Sequence, residues 1–224
     1  MDEQYRDLAG QYAAKSDDYF GHLRPEILPF IPEGSKFVLE VGCGAGAFGG
    51  SLKEAKPGCE VWGVEPNAEA AKKASLRLDH VIRGTFSAES PELCNKRFDV
   101  ICFLDVLEHL TNPEKALTEC RSILAENGVV VASIPNILHF YQIGEILYHQ
   151  DWRYREEGIL DTTHLRFFTK KSILRMFREA GFGKVKVFGI NPESGFRFKI
   201  ANAILLGRIS DWKFVQFAVQ AWEA

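Results

Sequence analysis

What this 224-residue chain lacks narrows its class first. Its five cysteines, Cys43, Cys59, Cys94, Cys102 and Cys120, are odd in number and form no Cys-x-x-Cys pair. That argues against a disulfide framework and a zinc knuckle alike, and points to a reducing cytoplasm. No apolar run approaches the roughly 20 residues that a bilayer span needs; the longest near an end, 200–206, is interrupted by Asn202. Met1-Asp2-Glu3 has none of the basic and apolar character of a secretory signal. Neither sign of charge dominates, with 27 Lys and Arg against 30 Asp and Glu and a formal net charge of −3. Such a chain has no general attraction to a phosphate backbone or an anionic bilayer, so neither a nucleic-acid partner nor stable membrane insertion is expected. Repeats, low-complexity tracts and flexible linkers are missing as well, and one continuous domain is read over 1–224.

What is present is alternation. Strand-like apolar runs bounded by turn residues fall at 37–41, 60–64, 98–104, 128–134 and 184–190, with a weak one at 80–82. Helical stretches separate them at 47–55, 68–76, 113–124 and 170–180. Asn112-Pro113 marks the start of the third helix, Thr169 that of the fourth, and Gly181 its stop. Unbroken apolar strands that alternate with helices imply a mainly parallel sheet covered on both faces. Beyond the last of these strands, 195–209 reads as helix and 213–222 as a closing edge strand. Its aromatics, Trp212, Phe214, Phe217 and Trp222, would then be available to a second copy.

The run Val38-Leu39-Glu40-Val41-Gly42-Cys43-Gly44-Ala45-Gly46 passes from a buried strand directly into a helix. Glycines at such a turn permit positive φ angles and let a ligand lie against the backbone. One strand along, Val61-Trp62-Gly63-Val64 ends at Glu65, a carboxylate placed to accept from both hydroxyls of a ribose. Gly44-Ala45-Gly46-Ala47-Phe48-Gly49 also spells the dinucleotide fingerprint Gly-x-Gly-x-x-Gly, so a nicotinamide cofactor competes with a sulfonium nucleoside. Glu40 favours the second, because a carboxylate repels a pyrophosphate and suits the ammonium of an amino-acid moiety. Pro66-Asn67 stops the strand and caps the next helix, which presents Glu65 at the carboxyl edge of the sheet. The chain contains no Tyr-x-x-x-Lys pair to supply short-chain dehydrogenase chemistry. A nicotinamide-dependent oxidoreductase and a non-catalytic binding module stand as the alternatives.

These segments, with Phe98-Asp99-Val100-Ile101 and Asp105-Val106-Leu107-Glu108-His109-Leu110, resemble class I S-adenosylmethionine-dependent methyltransferases, in order, over 35–189. The resemblance implies an α/β fold with a Rossmann-like, doubly wound, mainly parallel seven-stranded sheet and helices on both faces. It also implies S-adenosylmethionine as cofactor and methyl transfer as the reaction. By position, Gly42, Gly44 and Gly46, with Cys43 among them, would line the methionine part near Glu40. Glu65, followed by Pro66, would take the ribose hydroxyls. The family often has an acid at the end of the third strand for the adenine amino group, but Arg83-Gly84-Thr85-Phe86 has none. That leaves Thr85 or a backbone carbonyl for the role, with Phe86 packing on the ring. Leu104 and Asp105, where the fourth strand ends, would face the cofactor. The domain then divides into an N-terminal helical cap over 1–34, with Tyr12 and Tyr19 packed on the sheet, and a cofactor-binding core over 35–138. A lid insertion over 139–168 carries Tyr141, Tyr148, Trp152, Arg153, Tyr154 and Arg155, and 169–224 completes the core.

Ionisable groups concentrate after the fourth strand. If Asp105-x-x-Glu108-His109 is helical, it sets one carboxylate a turn before an adjacent carboxylate and imidazole. The run Asp161-Thr162-Thr163-His164-Leu165-Arg166-Phe167-Phe168-Thr169 resembles that of methyltransferases associated with cell-surface polysaccharide assembly, which implies a sugar hydroxyl. A small-molecule or glycan acceptor, methylated on oxygen, is therefore expected, with Glu108, His109 and His164 as the catalytic residues. Two mechanisms use them. His109 or His164 removes the hydroxyl proton as a general base, or Asp105, Glu108, His109 and His164 hold a divalent cation that lowers the hydroxyl pKa. Some class I O-methyltransferases acting on diols carry a Glu-x-x-Glu-His run plus a later His. Asp105 is one methylene shorter than the first of those acids, so the base route is carried forward and no metal ligand is assigned.

Overall fold

The computed structural model describes residue 21 and residues 23–223; the helix expected near the N-terminus, with Tyr12 and Tyr19, lies outside the described residues. Seven strands form one sheet: β1 (Phe37–Val41), β2 (Glu60–Glu65), β3 (His80–Arg83), β4 (Phe98–Leu104), β5 (Leu124–Pro135), β6 (Lys184–Pro192) and β7 (Phe214–Trp222). Their order is β3-β2-β1-β4-β5-β7-β6. The first five pair in parallel, and β7 runs antiparallel to both β5 and β6. Helices α1 (Ala47–Ala55), α2 (Ala68–Ala74), α3 (Pro113–Arg121), α4 (Phe140–His149), α5 (Lys170–Glu179) and α6 (Phe196–Ile204) occupy the connections. This is the doubly wound α/β architecture expected.

Alternation along each strand divides the core between the two faces. Val38 and Val100 belong to one buried cluster with Phe48 and Leu52 of α1, while Leu39 and Ile101 belong to the other with Ile173 and Phe177 of α5. Each such side chain removed from water contributes about 1.5–3 kcal/mol, so covering both faces fixes the register of every central strand. The caps act where their chemistry puts them. Asn67 accepts from the amides of Glu69 and Ala70, Asn112 accepts from Lys115 with Pro113 at the first helical position, and Thr169 closes a reciprocal box with Ser172. Gly181, at φ 94°, ends α5 as expected.

The C-terminal strand is not at an edge. β7 lies between β5 and β6, and β6 closes the sheet. Phe217, Ala218 and Val219 are fully buried in the middle of β7, whereas β6 alternates exposed and half-buried residues. Phe217 is core, Trp212 and Phe214 are half-buried, and Trp222 lies beneath the ammonium groups of Lys184 and Lys186. Of the four, Phe217 is thus withdrawn from the surface and the other three are only partly accessible. α3 also stops at Arg121, short of the helix read to 124, and β5 already begins at Leu124, with a register shift against β4 between Phe98 and Val100.

The chain runs outward from β1 to β2 and β3 on one side and from β4 to β5 on the other. Strand order thus reverses between β1 and β4, and the loops leaving these two neighbours splay apart at their carboxyl ends, opening a crevice.

Candidate active site

The crevice is a cavity of about 1190 Å³. Gly42, Gly44, Pro66, Thr85 and Phe86 line one end, and Leu104, Asp105, Glu108, His109 and His164 line the other. The turn after β1 is held open by backbone geometry. Gly42 has φ 70°, and a Cβ there would stand 2.6 Å from a methyl of Val106. The amides of Gly42 and Cys43 donate to the Val64 carbonyl at 2.8 and 3.2 Å, pinning the turn to the end of β2.

Glu65 ties the same two loops together through its side chain. Oε2 accepts from the Gly44 amide at 2.9 Å and Oε1 from the Asn67 amide at 2.8 Å, with the residue fully buried. Glu40 lies behind the turn on the α1 side, with Oε2 3.1 Å from the position a Gly49 Cβ would take. Burial raises its pKa to about 8, the Gly49 amide opposes the rise, and the nearby Glu65 charge adds to it. Cys43 also points away from the cavity. Its Sγ packs against Gly63, and burial pushes its thiol up out of the reactive range. The Cys43 side chain is thus a packing element, because Gly63 leaves just enough room for it.

Asp105 departs most from expectation. It sits at φ 53°, so the segment to Glu108 is not a helical turn; a short 3₁₀ turn begins only at Leu107. Its carboxylate consequently turns away from Glu108. Oδ1 accepts from Ser133 Oγ at 3.1 Å and from Gln216 Nε2 at 2.8 Å, while Oδ2 pairs with the Arg24 guanidinium. Arg24 also donates to Gln216 Oε1 at 3.1 Å. Arg24 and Gln216 both line the cavity and were not among the expected site residues. Arg24 stands just before Pro25 in a segment read only as a cap, and Gln216 depends on the unforeseen position of β7. No local sequence signal marks either.

Glu108, His109 and His164 do come together, with a ligand-type atom of each within 4.8 Å of the others. The two imidazoles stack edge to face at 4.7 Å. His109 Nδ1 lies 3.1 Å from both the carbonyl and the hydroxyl of Thr163. That hydroxyl gives its own proton to Asp161 Oδ1 at 2.7 Å, so Nδ1 must be the donor and Nε2 carries the lone pair. His164 Nδ1 lies 3.0 Å from the Ile159 carbonyl, which can only accept, and the same tautomer follows. Its Nε2 faces Glu108 Oε1 at 4.0 Å. Glu108 is 1% exposed and burial lifts its pKa to about 8, so at neutral pH its carboxyl is mainly protonated.

Backbone bonds hold the two halves of this cluster in register. The amides of Leu165 and Arg166 donate to the Glu108 carbonyl at 2.9 and 3.1 Å, and Arg166 Nη2 donates to the Thr111 carbonyl at 2.6 Å. The insertion that supplies His164 divides in two. Its later part, from Arg155 to Leu165, lines the cavity. The aromatics before it face outward: Tyr148 is 84% exposed, and Trp152 and Tyr154 pack on Phe167 instead of lining the crevice. Chemically, the site joins a glycine turn backed by two buried carboxylates to a pair of imidazoles with fixed lone pairs, within one cavity.

Over residues 12–187 the chain matches the family model described as "Methyltransferase domain". It is similar to the ubiquinone biosynthesis O-methyltransferase of Cereibacter sphaeroides, 32% identical over 180 residues that cover 75% of this chain and 68% of that protein. The protein of the same name from Photobacterium profundum is 32% identical over 108 residues, 45% of this chain and 44% of its own. Among solved structures, a SAM-dependent methyltransferase from Archaeoglobus fulgidus aligns with a TM-score of 0.68 at 19% identity, covering 97% of this chain and 99% of the other. One from Thermotoga maritima gives 0.63 at 20% identity, with 99% and 95% covered.

Proposed function

Because this chain belongs to the class I S-adenosylmethionine-dependent methyltransferase family, we propose that it methylates a hydroxyl oxygen of a small-molecule or glycan acceptor at the Glu108–His109–His164 cluster. The observation that carries this reading is the shared cavity: the glycine turn lies at one end and two imidazoles whose Nδ1 atoms are tied to backbone carbonyls lie at the other. A hydroxyl must lose its proton as it becomes an ether, and among the described residues the second end brings two imidazoles together that suit that task. The relatives in Cereibacter and Photobacterium are named O-methyltransferases, in keeping with that need.

When bound, S-adenosylmethionine supplies a methyl group on a sulfonium that leaves as a neutral thioether. In this reading Gly42 and Gly44 leave room for its amino-acid end, with the Glu40 carboxyl one layer beneath to balance the ammonium; Gly46, expected beside them, instead packs against Ala74 and Leu78 and does not line the cavity. Glu65, held by Gly44 and Asn67, accepts from the ribose. Pro66 flanks that sugar, Thr85 and Phe86 meet the adenine, and Leu104 and Asp105 form the wall where β4 ends. The stretch from Arg155 to Leu165 covers the acceptor side and excludes water from it. His109 and His164 orient the hydroxyl and take charge of its proton, and Glu108 backs them.

The test uses labelled methyl donor with a panel of dihydroxyaromatic compounds, activated sugars and lipid-linked glycans. His109→Ala and His164→Ala are each expected to slow transfer by about 10²–10⁴-fold while adenosylhomocysteine still binds. Undiminished turnover in both variants would remove the cluster from the reaction.

A further inference from the structure

We propose that the outward face of α6 and the turn after it, residues 196–208, docks on the surface of an anionic phospholipid bilayer. The contact is interfacial: no helix among the described residues is long and apolar enough to cross a membrane. It is also separate from the proposed reaction, because none of these residues lines the crevice.

The amphipathicity of α6 faces the opposite way from that of a core helix. The helical period puts Phe196, Ile200 and Ile204, at i, i+4 and i+8, on one stripe. On a helix packed against a sheet such a stripe turns inward. Here it faces water, with Phe196 78% and Ile204 74% exposed and Ile200 exposed between them. The other side of the helix holds it to the protein. Phe198 is buried and meets Phe140 of α4 edge to face at 5.4 Å. The Gly195 amide donates to the Tyr141 hydroxyl at 3.1 Å, which fixes the start of α6 on α4.

Leu205 and Leu206 continue the exposed apolar surface past the helix end. Two backbone bonds close that end: the Leu206 amide donates to the Ala203 carbonyl at 3.1 Å and the Gly207 amide to the Asn202 carbonyl at 2.8 Å. This closure puts the first residue beyond the cap in the left-handed region, where glycine or asparagine is the usual occupant. The chain has leucine there, at φ 51° and 87% exposed. Leucine in that conformation is costly, and at that exposure it recovers little by packing on its own chain. Its side chain is suited to a partner outside the molecule.

Charge identifies the partner. In a chain of formal net charge −3, residues 194–210 carry Arg197, Lys199 and Arg208, all exposed, and no Asp or Glu. The helical period sets Arg197 and Lys199 on opposite flanks of the stripe. The acids that bracket the segment face other groups, Asp211 the Lys170 ammonium at 3.1 Å and Glu193 the His139 imidazole at 3.5 Å. Projecting apolar side chains rimmed by cations match a layer of anionic headgroups: the tips enter the acyl boundary while Lys and Arg meet the phosphates.

Full-length protein is floated with vesicles of phosphatidylcholine alone and of phosphatidylcholine mixed with phosphatidylglycerol, at low and at raised salt. It should rise with the mixed vesicles, stay behind with the neutral ones, and bind less as salt rises. Leu206→Gly, which installs the usual residue at that turn, and Ile204→Ser should each lower the partition coefficient by about tenfold. Lys199→Gln should lower it by about fivefold. All three should bind adenosylhomocysteine as the wild type does, since the patch lies outside the crevice. Absence of flotation with the mixed vesicles, equal flotation with both kinds, or variants that float like the wild type would each overturn the proposal. So would a lipid-free dimer in analytical ultracentrifugation that Ile204→Ser dissociates, because the face would then belong to a second copy.

Discussion

Replacing Glu40 with Gln should stabilise the cofactor-free protein above pH 5 and weaken its hold on the cofactor. Glu40 is a carboxyl raised from 4.5 to about 8, mainly by burial. Below pH 4.5 it is protonated in folded and unfolded chains alike. Between 4.5 and about 8 the unfolded chain releases the proton while the folded one retains it. Wild-type stability therefore falls as pH rises, by up to about 1.4 kcal/mol per pH unit, and levels off above about 8. At pH 7 the interval above 4.5 is 2.5 units, which amounts to about 3 kcal/mol. Gln has the shape of the neutral acid and carries no such penalty, so the difference between variant and wild type should be small at pH 5 and widen to pH 8. Glu108 titrates in the same range but is present in both proteins and cancels. Urea unfolding at pH 5, 6, 7 and 8, without cofactor and with chelator, reads the difference directly. Parallel stability curves across that range would refute the reasoning. Calorimetry on the same variant should show weaker adenosylhomocysteine binding, because Gln, unlike Glu40, cannot give up a proton to become a carboxylate when the ammonium arrives.

Glu65→Ala should weaken adenosylhomocysteine binding by about ten- to a few hundredfold through lost charge-assisted hydrogen bonds, and an unchanged dissociation constant would remove Glu65 from the ribose site. Gly42→Ala should lower stability by about 1–3 kcal/mol, because φ 70° disfavours a side chain and Val106 occupies its space; a melting temperature equal to wild type would contradict this. Asp105→Asn should loosen the segment around Arg24, seen as faster amide hydrogen exchange over 24–31, while the sheet strands keep their protection.

The parts of this fold that could be read in advance depend on local chemistry. Asn112-Pro113, Thr169 and Gly181 act on their own helix ends, so the sequence already carries their meaning. The position of β7 does not work that way. Its apolar pattern marks a strand, but lying between β5 and β6 is a property of pairing partners 22 to 91 residues away. At the site, Glu108, His109 and His164 were identifiable as residue types in two short runs, and the structure brings them within 4.8 Å. The spacing from Asp105 misled because it presumed a helix where the backbone adopts φ 53°. That conformation turns the carboxylate toward Arg24 and Gln216, two residues that only the tertiary fold places there. The aromatic half of the insertion misled for a related reason. Tyr and Trp can cap a ligand, but Trp152 and Tyr154 have Phe167 to pack against.

The most direct measurement of the central claim is a crystal structure of the protein with adenosylhomocysteine. The account predicts ribose hydroxyls on Glu65, the amino-acid end over Gly42 and Gly44, and the sulfur facing Glu108, His109 and His164 across the cavity. A ligand whose ribose avoids Glu65, or whose sulfur points away from that cluster, would contradict it.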